Sequence, residues 1–181
     1  MRNLMWFWVA SAVVLVMALW GAHPASAAGL APGTTAPMLG VKIVAGVDAG
    51  QSYCAVCHQG LKPEALIFLN TTGGMVPQFL PQLEHDIAGL DSPELRVFVI
   101  FTGAAAKDEA AIRNLAEQAR IAHVSLAVPT DPKEWPAWKL QDTETNAYCL
   151  NQHKIVKSLA AGCPKCDNVA QTITTALKAN P

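Results

Sequence analysis

Two kinds of apolar pattern alternate along the chain. Ala65 to Asn70 (Ala-Leu-Ile-Phe-Leu-Asn) is a short continuous apolar run, and Leu95 to Phe101 reads as a second buried strand. Runs of this length are too brief for helices and suit strands covered on both faces. Between them, after Thr71-Thr72-Gly73-Gly74, the residues Val76, Phe79, Leu80, Leu83 and Ile87 recur at spacings of three and four, which predicts an amphipathic helix. Pro81 falls inside it, where the ring removes one backbone hydrogen bond and is expected to kink the helix. A second helix is predicted over Lys107 to Ile121, with Ile112, Leu115, Ala116 and Ala119 on one face and mainly charged residues elsewhere.

Leu39 to Val47 reads as a first short strand, and Val124, Leu126 and Val128 alternate as another. Asn146 to Leu150 and Lys154 to Leu159 flank Asn151-Gln152-His153, a pattern that predicts two antiparallel strands and a tight turn. Val169, Ile173 and Leu177 share one face of a closing helix, Asp167 to Lys178. Asp48 to Pro63 and Pro129 to Trp138 are expected to be loops. Strands joined by helices, then a hairpin and a last helix, give an α/β chain with a mixed sheet covered on both faces.

The N-terminus follows a different pattern. Arg2 precedes an apolar stretch from Leu4 to Ala22, and His23-Pro24-Ala25-Ser26-Ala27-Ala28 follows. A basic start, a hydrophobic segment and small residues at the cleavage positions predict a signal peptide over residues 1–27. The expected location is periplasmic or secreted, with membrane contact only through the signal segment before cleavage. Cleavage leaves about 154 of the 181 residues, the usual size of one domain. Residues 28–38, rich in Ala, Gly, Pro and Thr, are expected to be a flexible lead-in to a domain over 39–181. Net charge is −1 with no basic run, which makes nucleic acid an unsuitable partner.

All five cysteines, Cys54, Cys57, Cys149, Cys163 and Cys166, follow the signal segment. In an oxidising compartment, paired thiols become disulfides unless a metal, a haem or a reductant intervenes. Cys54-x-x-Cys57 can close a small ring. It can act as a redox pair, one thiolate attacking a partner disulfide and the other resolving the mixed disulfide, or as a permanent clamp. With His58 it also reads as Cys-x-x-Cys-His, the attachment signature of c-type haem. In that alternative His58 binds the iron, although strands and helices alternate after it where a small cytochrome is mostly helical.

Cys163-Pro164-Lys165-Cys166 lies between a predicted strand and the last helix and is a candidate second disulfide, structural before it is redox-active. Zinc held by the two pairs together is a minor alternative, since their long separation gives it no support. Cys149, inside a predicted strand, reads as a buried inert thiol. Trp135 and Trp138 either line a partner groove or fold back on the core.

The element order resembles the thioredoxin fold from about Leu39 onward. Pro32-Gly33-Thr34-Thr35-Ala36-Pro37 is similar to the Gly-x-x-Ala-Pro opening of exported redoxins. Pro81 stands where thioredoxins carry a proline in their first long helix. Tyr53-Cys54-Ala55-Val56-Cys57 resembles a group of exported thioredoxin-like proteins with the cysteine pair ahead of the first core strand. The resemblance implies a mixed sheet of four to five strands flanked by helices and thiol–disulfide oxidoreductase activity on protein thiols or disulfides, with no cofactor. It departs from thioredoxin at two places. Alignment on Pro81 puts Gly73-Gly74-Met75-Val76, which has no thiol, at the usual active site, and no proline stands near Glu144 or Thr145 where the family's cis-proline falls. Redox work is therefore assigned to Cys54 and Cys57, and the alternative is a redox-inactive binding module that kept the fold.

Overall fold

A computed structural model describes residues 29–90, 92–140 and 145–161, together with Ile173 and Thr175. Cys163, Cys166, Glu144, the signal segment and most of the predicted closing helix lie outside the described residues. The strands are β1 (Gly40–Gly46), β2 (Ser52–Cys54), β3 (Glu64–Leu69), β4 (Arg96–Phe101), β5 (Ser125–Pro129), β6 (Thr145–Asn151) and β7 (Lys154–Ala161). The helices are α1 (Ala55–Gln59), α2 (Val76–Ala88) and α3 (Glu109–Ala119). Short 3-10 turns cover Ala105–Lys107 and Pro132–Trp138.

One seven-stranded sheet runs in the order β2-β1-β5-β4-β3-β6-β7. β3, β4 and β5 are parallel, linked through α2 and α3, while β6 and β7 return antiparallel as a hairpin. The expectation of four to five strands is too low. Strands β3 to β7 make such a core, but the β1–β2 hairpin docks on the outer side of β5, from Val41 opposite Pro129 to Gly46 opposite Ser125, and extends it. β2 escapes pattern reading because it has three residues, none fully buried.

All six residues of β3 are buried, as its apolar run predicts. Ala65, Ile67 and Leu69 face one cluster, completed by Val97, Val99 and Phe101 of β4, by Phe79, Leu80 and Leu83 of α2, and by Ile112 and Leu115 of α3. Ile173 joins this cluster from the C-terminal part of the chain. Leu66 and Phe68 face the opposite layer with Phe98, Ile100, Trp138 and Tyr148. That layer is covered by Ala55 and Val56 of α1, by Leu30 and Ala36 of the lead-in, and by Leu39 just before β1. The lead-in is tied to β7: Gly33 N–H donates to the Ile155 carbonyl at 2.7 Å, and Ile155 N–H donates to Thr34 at 2.9 Å.

Local chemistry sets the element ends. The helix predicted from Lys107 starts at Glu109, because Asp108 caps it by accepting the Ala111 N–H at 2.9 Å, the role short acidic side chains fill at helix starts. Arg120 ends it in the left-handed region at φ 54°. α2 runs on through Pro81. The β6–β7 turn places Gln152 and His153 at φ 51° and 61°, the sign that tight hairpin turns require. The segment expected to be a loop over Pro129 to Trp138 contains a 3-10 turn, and Trp138 folds back fully buried, with Tyr148 Oη donating to its carbonyl at 2.7 Å.

One buried acid braces the crossover. Glu84 of α2 is 8% exposed and accepts from the His123 and Val124 backbone N–H groups and from His123 Nδ1 at 2.6 Å. It thereby fixes the chain entering β5.

Candidate active site

The cysteine pair is built by the edge hairpin. After β1 the chain turns through Asp48 (φ 64°) and Gly50 (φ 88°) and returns as β2, which sets Cys54 opposite Gly40. Ala55 N–H donates to the Leu39 carbonyl at 2.8 Å, and the chain then winds into the single turn of α1. The Asp48 to Pro63 segment is therefore ordered into β2 and α1 rather than a loop throughout. It escapes pattern reading because neither element is long enough to show a period.

α1 divides its residues sharply. Ala55 and Val56 are buried against the sheet, whereas Cys57 and His58 face solvent. Gln59 Nε2 donates to the Glu94 carbonyl at 2.6 Å and anchors the end of the turn. Cys54 is the N-cap, half-buried, and its Sγ accepts the Cys57 N–H at 3.2 Å. Cys54 and Cys57 form a disulfide, with their Cα atoms 5.2 Å apart. Of the two sulfurs, the one on Cys57 belongs to the exposed residue.

An aromatic shelf supports the pair. The His58 ring stacks on Tyr53 at 4.2 Å with 23° between planes, and Tyr53 meets Phe98 of β4 edge-on at 6.4 Å. Tyr53 Oη donates to Asp48 Oδ2 at 3.1 Å. Partial burial, with the Asp48 carboxylate beside it, pushes the Tyr53 phenol up to about 12, so it stays a neutral donor at physiological pH. Haem attachment would use both sulfurs as thioethers and His58 as an iron ligand. Here each sulfur is bonded to the other, and the imidazole lies on Tyr53.

Glu64, which escaped the sequence reading, begins β3 just beyond α1. It is 1% exposed, stands between Arg96 and Leu150 in the sheet, and its Oε2 has no hydrogen-bond partner among the described residues. Burial pushes its carboxyl up to about 8. The only sequence signal was an acid directly before an apolar strand.

The remaining candidates fall elsewhere. Gly73 to Val76 lead into α2, with Met75 as its N-cap and 44% exposed, so the start of this helix carries no thiol. Cys149 is buried in β6, 1% exposed, and burial lifts its thiol to about 12. Among the described residues no three metal-ligating side chains cluster, and no helix is long and apolar enough to cross a membrane.

Comparison with solved structures places this architecture in a class. The chain is similar to the peroxidoxin BcpB of Mycobacterium tuberculosis, at 12% identity over 83% of this chain and 97% of that one, with a TM-score of 0.64. It is also similar to the thioredoxin domain of a thiol-disulfide oxidoreductase from Bacteroides vulgatus, at 14% identity, 81% and 97% coverage and a TM-score of 0.61. A peroxiredoxin-like protein from Aquifex aeolicus matches at 14% identity, 81% and 88% coverage and a TM-score of 0.61. No family model matches the chain, and no curated protein does. At these identities the likeness defines the fold alone: this is a thioredoxin-like α/β fold carrying a Cys54–Cys57 disulfide.

Proposed function

We propose that the protein exchanges thiols and disulfides with other proteins through Cys54 and Cys57. The observation that carries this reading is the disulfide itself, closed across one helical turn with Cys57 exposed and Cys54 half-buried. A partner thiolate attacks Cys57 Sγ, a new sulfur–sulfur bond forms, and the Cys54–Cys57 bond breaks. The electron pair leaves on Cys54, whose thiolate accepts the Cys57 N–H already aimed at it; a hydrogen bond to the charged form favours it. A second partner thiolate then displaces Cys57, leaving the partner oxidised and this chain with two thiols.

The energetic scale suits reversible chemistry. By the chain-entropy account, a ring this small contributes on the order of 2 kcal/mol to stability, and the sheet beneath it is held by independent packing. The start of α2 carries no thiol. The signal-like N-terminal pattern supports work in the periplasm or outside the cell, where exchange with partner disulfides has substrates.

Alkylation with a mass tag, with and without equilibration in defined dithiothreitol ratios, tests the reading. A two-thiol transition assigned by mass mapping to Cys54 and Cys57, and completed by mild reductant in the folded state, is the expected result. A pair that opens only after denaturation is a clamp.

A further inference from the structure

The exchange proposed above requires a partner sulfur to reach Cys57, and the sheet edge beside it offers unused backbone. β2 is the outermost strand on its side. Ile43 N–H donates to the Gln51 carbonyl at 2.8 Å and Ala55 N–H to the Leu39 carbonyl at 2.8 Å, with Val41 opposite Tyr53 between them. Backbone groups alternate in direction along an antiparallel ladder. Gln51, Tyr53 and Ala55 thus address β1, whereas Ser52 turns its N–H and carbonyl off the sheet, as Cys54 does its N–H. Ser52 is exposed, and among the described residues no strand lies outside β2.

We propose that β2 is the docking edge for an extended, cysteine-bearing segment of a partner protein, added as a further strand beside Ser52 and Cys54. This inference rests on the exchange reading and specifies its partner. The occupant must carry a thiol, because among the described residues the reactive group adjoining the edge is the Cys54–Cys57 bond. It must be extended, because the free groups belong to alternate residues of a strand. Cys54 ends β2 and is bonded to the exposed Cys57, so the edge on which a partner strand would pair carries one half of the disulfide. The partner thiolate bonds to Cys57 Sγ, the Cys54–Cys57 bond breaks, and Cys54 leaves as the thiolate. The mixed disulfide is then held by backbone hydrogen bonds as well as by sulfur.

The test uses the full oxidised chain and two probes, 2-mercaptoethanol and a short blocked peptide with one central cysteine, following mixed-disulfide formation by mass after acid quenching. Among peptides N-methylated at one residue at a time, the one lacking the N–H that meets the Ser52 carbonyl is expected to react about tenfold more slowly, the scale of one hydrogen bond, and the others are not. Ser52→Pro removes the outward N–H and is expected to lower the peptide-to-mercaptoethanol rate ratio by a similar factor. Uniform indifference to N-methylation overturns the proposal, as does an unchanged ratio in a folded Ser52→Pro chain. If that variant fails to fold, the methylation scan on the unmodified chain decides alone. Failure of both thiols to open the disulfide rejects the exchange reading instead, a separate outcome.

Discussion

Glu64→Gln should remove a pH dependence of stability that the wild-type chain carries. Glu64 is 1% exposed, and burial lifts its carboxyl from the ordinary 4.5 to about 8. Below pH 4.5 it is protonated in both folded and unfolded chains and contributes no slope. As pH rises further, the unfolded chain releases the proton first, while the fold retains it up to about pH 8. Stability is therefore fully present below the unfolded value and falls by about 1.4 kcal/mol per unit across this window. By pH 7 the loss is about 3 kcal/mol, or roughly 6–12 °C in Tm for a domain of this size. Glutamine keeps the shape and cannot ionise. Urea melts of wild type and Glu64→Gln at pH 5, 6, 7 and 8 should show curves that converge in slope near pH 4.5 and diverge above it. Any fixed offset from the new amide is independent of pH, so the slope difference is the readout. Parallel pH curves for the two proteins would refute the reasoning.

Two further perturbations probe the scaffold. Glu84→Ala leaves the His123 and Val124 backbone N–H groups without their acceptor and should destabilise by about 2–4 kcal/mol, whereas His123→Ala keeps both backbone bonds and should cost under about 1 kcal/mol; thermal melts of both variants separate these outcomes, and equal losses would show that the imidazole carries the brace. Cys149, with its thiol lifted to about 12 by burial, should resist iodoacetamide at pH 8 in the native chain and react once unfolded, as read by mass.

Parts of the fold legible in the sequence were those in which burial alone decides the residue. β3 and β4 are covered on both faces and so read as apolar runs after the charged residues that begin them, Glu64 and Arg96, and α2 and α3 each bury one stripe and show it. The β6–β7 hairpin was legible through its flanking apolar strands, although its turn residues, Gln152 and His153, take positive φ without a glycine. The β1–β2 hairpin was half legible. Val41 and Ile43 are buried with the core, but β2 is held by backbone pairing at an edge, which leaves no apolar signature. α1 is a single turn, and a turn has no period to detect.

The same reason explains what was visible of the site. Cys54 and Cys57 were found because their spacing is a chemical constraint independent of burial. Their surroundings were not, because the Tyr53 to His58 stack and the Asp48 bond form only once β2 pairs with β1 and α1 turns back across it. Glu64 gives no signal in the sequence because a charge at a strand end is ordinarily solvated, whereas here it sits between Arg96 and Leu150 in the sheet at 1% exposure. The three-residue strand that hid the hairpin from pattern reading is also what presents the disulfide at the sheet edge. A longer, two-sided apolar β2 would have been easier to predict and, with its cysteines drawn into the core, unable to meet a partner thiol.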